Sequence, residues 1–562
     1  MIAAAQHQEG NPFLDPILIR ARVSPESLMG VFHNGVDWHP VNLANFIQRA
    51  QQFSVAMAEA GVGAGDIVLI ILKHDLDAHA AFVGAMMIGA VPSFMPYPNS
   101  KQHAALYWRQ HRQVFKNVDA RAILVYEELR QDVADAASGC AAAVLTCTMA
   151  DGKVCADIGH TPSGEAIALL QHSSGTTGLK KGVQLTYQAI CDQLEAYVEA
   201  LGLRQTPEPR IASWLPLYHD MGLITSFLLP IWIGAPILSI DPFEWTKQPT
   251  LLFDAIEQYR ATHVWLPNFA LLHLARGIRS AQNWDLNSLV TIVCCSEPCK
   301  PEAFDAFLER YAKSGVTELS LQTSYAMAET VFAVTQTNTK ETVRRLCVDR
   351  DKLQKEGLAI RSEPGPRSTV FLSNGFPISG CRVRILKSGE FVDDRVIGEV
   401  CIKSPWLFSG YHNNSDATRR AFKDGWLLSG DLGFLDCGEL FLVGRSKDVI
   451  IVSGENVFAH DVEAAVSRVP NVKRGRAVAF GYYVEAFGSE KLVVVAERNS
   501  RTCDDAHLIR LINHAVLDEV GIGCGDVRLV DEGWLVKTTS GKMSRSENLS
   551  KYIEHFLSTR KV

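Results

Sequence analysis

The chain has 562 residues, 47% of them hydrophobic and 21% charged, with 62 acidic against 55 basic side chains for a formal net charge of −7. That length exceeds one small core, so two or more domains are expected in an otherwise ordinary globular composition. The slight acidic excess argues against a global attraction for nucleic acid or an anionic membrane.

In chain order, helical periodicity over Leu43–Ala60 runs into the glycines of Gly61-Val-Gly-Ala-Gly65 and then the apolar run Ile67–Leu72, giving helix, turn and buried strand. Leu223–Ile240 carries no charge over about 18 residues, the lower edge of a membrane span. Pro230, Gly234 and Pro236 break it into a helix end and a buried strand, and Ala80–Pro98 is read the same way. Ile167–Leu170 is a strand, Thr186 caps a helix reaching about Leu201, and Thr250–Tyr259 is helical. Strands follow at Thr262–Leu266 and Val290–Cys294, so the bulk is α/β with a largely parallel sheet.

After about Gly375 the texture changes to short strands and tight turns, at Arg382–Leu386, Gly398–Lys403 and Glu439–Val443. A large N-terminal domain is expected over 1–445, with a β-rich subdomain over 375–445. A compact α+β unit over 446–562 follows, long enough for a small domain. The thirteen cysteines are scattered, and Cys294, Cys295 and Cys299 are the nearest to a cluster. They lack CxxC spacing and neighbouring histidines, so they are read as buried thiols, not a zinc site. The opening MIAAAQHQEG shows no basic stretch before an apolar core, and with this cysteine usage a cytoplasmic location is expected.

The segment His172-Ser-Ser-Gly-Thr-Thr-Gly-Leu-Lys-Lys-Gly182 concentrates hydroxyls, glycines and cations in one loop. Gly175 and Gly178 let the backbone curl so that successive N–H groups face one anion. Ser173, Ser174, Thr176 and Thr177 add hydroxyl donors, and lysine adds charge. The order never gives a Gly-Lys-Ser/Thr triplet, so it is not a Walker A loop, nor does it match the dinucleotide fingerprint. It reads as a phosphate cradle, with ATP as the expected ligand.

Further segments follow in a fixed order: Trp214-Leu-Pro-Leu-Tyr-His-Asp-Met-Gly222, Tyr325-Ala-Met-Ala-Glu329, Leu428-Ser-Gly-Asp431, Gly444-Arg-Ser-Lys-Asp448 and Thr539-Ser-Gly-Lys542. Each is weak alone. Together with the loop they resemble the adenylate-forming superfamily, whose members join a carboxylate to AMP and usually pass it to a thiol.

The resemblance implies the roles. Ser173 to Gly178 and Lys181 would hold the phosphates of ATP, with Lys180 replacing a usual proline. Tyr325 would stack on adenine, and Glu329 would hold Mg²⁺, a hard cation that needs such an oxygen. Ser296 and Glu297, in a Cys295-Ser-Glu-Pro298 run, would face the nucleotide. Asp431 could accept the ribose hydroxyls, with Arg445 on the same sugar. His219 would stand at the mouth of the carboxylate pocket, and Lys542 would neutralise charge as the carboxylate attacks the α-phosphorus. Lys447 occupies the hinge about which a small mobile C-terminal domain would swing, presenting Val452-Ser-Gly-Glu-Asn456 to the incoming thiol.

Within the superfamily the chain resembles the fatty acyl-AMP ligases, which charge the phosphopantetheine of acyl carrier proteins in lipid and polyketide pathways. The carriers are WLPLYHDMGLI, Pro267-Asn-Phe269, the Cys295–Pro298 run and a long stretch between Thr337 and Gly375. That stretch includes Cys347–Glu356, similar to an insertion thought to disfavour the CoA-accepting pose. Trp265 and Asn268 are expected at the acyl pocket. The SGENVFAHDVE segment looks more like that of CoA synthetases, which leaves CoA open as the acceptor. An amino- or aryl-acid-activating enzyme and a non-catalytic acyl- or nucleotide-binding protein are the remaining readings.

Overall fold

A computed structural model of the chain describes residues 10–98, 104–154, 162–172, 181–278, 282–452, 455–485, 489–499, 504–537 and 543–557. It is α/β. The helix Leu43–Glu59 begins where the Asn42 side chain accepts the Asn45 N–H, which satisfies one orphan donor of the first turn. Its buried Phe46, Ile47, Ala50, Phe53 and Met57 recur at helical spacing and pack on the helix Leu76–Met87. Gly84 permits that approach, because a Cβ there would lie 2.4 Å from the Ala50 carbonyl oxygen.

A nine-stranded sheet forms the centre. It runs parallel through Leu321–Ala326, Thr291–Cys294, His263–Leu266, Ile211–Ser213, Ile237–Ile240 and Leu28–His33. Antiparallel strands flank it, Ala333–Gln336 on one side and Trp38–Asn42 on the other. A second, four-stranded parallel sheet holds Val91–Phe94, Ile67–Ile71, Ala122–Val125 and Ala143–Thr146. The uncharged stretch after Asp220 becomes a π-helix over Met221–Leu228, a short helix Leu229–Ile233 ended by left-handed Gly234, and the strand Ile237–Ile240. Among the described residues no helix is long and apolar enough to cross a membrane.

The strand before the phosphate loop, Ile167–His172, pairs antiparallel with Gly182–Thr186, so the loop joins the two arms of a hairpin. Thr186 then caps the helix Tyr187–Leu201. Antiparallel pairing dominates the later β-rich region, where Arg382–Lys387, Gly398–Lys403, Trp426–Asp436 and Glu439–Arg445 lie side by side.

In the last part of the chain, Val472–Val484, Ser489–Arg498 and Asp526–Val530 form a three-stranded sheet. Strand alternation sorts its two faces. Ala477, Ala479, Val494 and Ala496 pack under the helices Ala459–Ser467 and Asp505–Val520. Val478, Phe480, Val493 and Val495 face Tyr552 of the helix Arg545–Tyr552.

The uniform reading of the cysteines as buried thiols is corrected. Cys437 is exposed, in the hairpin turn between Trp426–Asp436 and Glu439–Arg445, and Cys140, Cys299, Cys347 and Cys524 are half-buried.

Candidate active site

One cleft of about 3970 Å³ is bordered both by the large sheet's strand ends and by the C-terminal unit. The strand Leu321–Ala326 carries Tyr325 to its edge, and a short turn of 3₁₀ helix, Ala328–Thr330, carries Glu329. The antiparallel register places Asp431 directly opposite Arg445. Asp431 Oδ1 accepts the Arg445 Nε–H at 3.1 Å, and its Oδ2 accepts the Tyr325 hydroxyl at 2.6 Å. Burial, then the Asp431 charge, push the Tyr325 phenol well above its usual pKa, so it stays a donor. Asp431 in turn raises the pKa of Arg445. The three side chains therefore form one fixed polar unit on the cleft wall.

A second unit faces the same cleft. Glu329 Oε1 accepts the Tyr411 hydroxyl at 2.7 Å, and the Lys181 ammonium lies 4.3 Å from the centre of the Tyr411 ring. Burial pushes the Glu329 carboxyl up, opposed by the hydroxyl bond and the Lys181 charge. Burial also lowers the Lys181 ammonium, while Glu329 opposes that shift. Tyr411 is missed by motif reading. It arrives from the two-residue edge strand Gly410–Tyr411, which pairs with Gly182–Thr186 beside the phosphate loop.

His219 Nδ1 lies 2.6 Å from Asp220 Oδ1, and that oxygen also accepts the Met221 N–H that opens the π-helix. The segment is tied to the phosphate-loop strand, since Gln171 Nε2 donates to the Tyr218 carbonyl at 2.9 Å. Ser296 adopts φ +71° and donates from Oγ to Met221 Sδ. Glu297 Oε1 accepts the Phe269 N–H at 2.5 Å. Asn268 borders the cleft, its Oδ1 taking the Lys300 N–H at 2.9 Å.

Trp265 is not brought to this cleft. It is 1% exposed, and its indole N–H donates to the Tyr197 hydroxyl at 2.8 Å. The strand His263–Leu266 turns that side chain beneath the helix Tyr187–Leu201, so its expected place at the pocket wall is corrected. Ser173, Ser174, Gly175, Thr176, Thr177, Gly178 and Lys542 lie outside the described residues. The residues on either side of Lys542 do border the cleft, joined by an antiparallel bridge between Lys537 and Met543. Arg545 fastens that segment, bonding Glu463 through two nitrogens and Asp448 at 2.6 Å, next to exposed Lys447.

A family model described as "AMP-binding enzyme" matches residues 21–412, and one described as "Disco-interacting protein 2-like, AMP domain" matches residues 447–562. The medium-chain-fatty-acid–[acyl-carrier-protein] ligase JamA of Moorena producens is 31% identical over 410 residues, 70% of this chain and 69% of its own. A Mycobacterium tuberculosis protein named "Probable long-chain-fatty-acid–AMP ligase FadD30" is 28% identical over 86% of this chain and 87% of its own. A structure from a study of fatty acyl-adenylate ligases of E. coli and L. pneumophila superposes with a TM-score of 0.88 at 24% identity, covering 97% of this chain and 98% of that one, and shares the fold. The chain belongs to the AMP-binding enzyme family and is a ligase of the acyl-AMP ligase and acyl-CoA synthetase type.

Proposed function

We propose that the protein activates a fatty acid with ATP as acyl-AMP, releasing pyrophosphate, and passes the acyl group to the phosphopantetheine thiol of an acyl carrier protein. The observation that carries this reading is the convergence of two polar units, Asp431–Tyr325–Arg445 and Glu329–Tyr411–Lys181, on one cleft. The first suits a ribose and the second a polyphosphate with its counter-ion. Among the described residues no group of three His, Cys, Asp or Glu side chains could hold a metal. The Glu329 carboxylate suits Mg²⁺, which binds through one or two carboxylates and completes its shell with phosphate oxygens and water. Bound there, the ion would neutralise phosphate charge.

The carboxylate of the acid attacks the α-phosphorus and pyrophosphate leaves in line. His219, held by Asp220, would border the acid, and Lys542 would meet charge that grows mainly in the transition state. Lys447 would be the hinge between domains 1–445 and 446–562, moving Lys542 away once the adenylate has formed.

Two observations support a carrier protein over CoA. The relative JamA is named as a ligase for a carrier protein. The other is the hold of the helix Arg350–Glu356 on the C-terminal unit. Arg350 donates to the Asp518 carbonyl at 2.9 Å, Gln354 donates to that of Val520 at 3.2 Å, and Lys355 lies 3.5 Å from Glu455. Relatives named as fatty-acid–CoA ligases keep CoA as the second reading.

The test is ATP–pyrophosphate exchange across fatty, aryl and amino acids, followed by competition between CoA and a phosphopantetheinylated carrier. Exchange is expected with fatty acids, and no turnover with any acid would sink the proposal. Lys542→Ala is expected to lose exchange by orders of magnitude yet still transfer a supplied acyl-AMP to the thiol. Equal loss of both steps would count against the swinging domain.

A further inference from the structure

The cysteine group that motif reading sets aside is drawn together by the fold. Cys294 ends the parallel strand Thr291–Cys294, and the left-handed backbone of Ser296 folds the chain back so that Cys299 meets the strand end. Cys299 Sγ lies 3.1 Å from Cys294 Sγ and 3.5 Å from the Cys294 carbonyl oxygen. That is about 1 Å beyond a disulfide bond of ~2.05 Å. Cys294 is buried and Cys299 half-buried, so one sulfur of the pair can meet a solute while the other waits behind it.

What lies between the two sulfurs gives the pair its meaning. Ser296, Glu297 and Pro298 border the cleft, and the next residue after Cys299, Lys300, pairs with Asp461 of the C-terminal unit at 2.7 Å. The turn thus joins the central sheet, the cleft wall and the small unit. Burial holds the Cys294 thiol well above its usual pKa, with the Cys299 thiol and the Glu297 charge adding to it. Cys294 is therefore held as a thiol in the reduced protein.

We propose that Cys294 and Cys299 form a reversible disulfide site, and that closing it stiffens the cleft-lining turn Ser296–Pro298 and weakens nucleotide binding. The second half of this statement rests on the ATP-dependent reading given above; the first does not. The oxidant is a hydroperoxide. Cys299 Sγ attacks the peroxide oxygen, the O–O bond breaks, and a sulfenic acid forms with release of an alcohol or water. Cys294 Sγ then displaces water from the Cys299 sulfur. Two thiols and one hydroperoxide give one disulfide, one alcohol (or water) and one water. The two electrons pass from sulfur to peroxide, and a dithiol reverses the bond by exchange.

The test oxidises the full chain with hydrogen peroxide, maps disulfides by mass spectrometry, and measures the KM for ATP before and after dithiothreitol. A Cys294–Cys299 cross-link is expected in the wild type and in Cys295→Ser, and none in Cys299→Ser. The KM for ATP should rise several-fold on oxidation of the wild type and of Cys295→Ser, but not of Cys299→Ser, and return with dithiothreitol. Absence of the cross-link, a bond to Cys295 instead, or a cross-link that leaves the KM unchanged would overturn the proposal. Disulfide mapping needs no activity, so it separates this outcome from a failure of the adenylation reading.

Discussion

Glu329 and Tyr411 show how a single side chain is tuned. The carboxyl is pushed toward its neutral form by burial, and the Tyr411 hydroxyl, ahead of the Lys181 charge, favours its charged, metal-binding form. A hydrogen bond to a charged group is worth about 1.5–3 kcal/mol. Tyr411→Phe is therefore expected to raise the Mg²⁺ concentration for half-maximal ATP–pyrophosphate exchange by roughly tenfold. An unchanged Mg²⁺ titration would remove Tyr411 from the site. Glu329 is legible because it stands in a recognisable run. Tyr411 is not, since nothing in its neighbourhood of the chain announces that an edge strand delivers it to Lys181. Trp265 fails for a related reason, because the residues of a buried strand do not tell which face each side chain takes.

Among the elements, the π-helix Met221–Leu228 depends on one glycine. A Cβ at Gly222 would lie 2.2 Å from the Pro216 carbonyl oxygen, a backbone atom that cannot step aside. Gly222→Ala is expected to cost about 1–3 kcal/mol by overpacking and to displace His219. Calorimetry and exchange activity should fall together, and an alanine variant with both intact would show that the contact can relax. The helix Arg350–Glu356 invites a different experiment. Replacing Gln354 and Lys355 by alanine removes two of its holds on the C-terminal unit, and the ratio of acyl-CoA to acyl-carrier product should rise several-fold. An unchanged ratio would detach this helix from acceptor choice. The hairpin around the phosphate loop was half visible: the strand Ile167–Leu170 and the Thr186 cap could be read, but the strand Gly182–Thr186 and its antiparallel register are tertiary facts.

The whole molecule carries a pH dependence. Burial holds His74, His263 and His460 neutral, with pKa values pushed down to about 4, and His79 to about 3. His74 Nε2 also accepts the Leu217 N–H at 3.1 Å, a bond that needs the neutral ring. Free imidazole titrates near ~6.5, so in the window from about 6.5 to 4 the unfolded chain binds protons that the folded chain refuses. Their contribution is fully present above that window and lost as pH falls through it, by up to ~1.4 kcal/mol per histidine per pH unit. Buried Glu329 and Glu463, with raised pKa values, work in the opposite direction in the carboxylate range. The melting temperature is expected to drop between pH 7 and pH 4.5, and a flat profile would mean that these rings are already charged in the fold.

The α/β class, the order of the motifs and the family follow from the sequence, because periodicity and short runs of chemistry-bearing residues are local properties of the chain. The helix Leu43–Glu59, the strand Ile67–Ile71 and the Thr186 cap were all readable in this way. What needed the tertiary structure is every relation between distant segments. Asp431 faces Arg445 and Tyr325, Glu329 meets Tyr411, and Trp265 sinks under a helix because strand register and sheet order bring residues together across the chain. Cys294 and Cys299, only five positions apart, belong with them, since a left-handed turn at Ser296 and not their spacing set their sulfurs side by side.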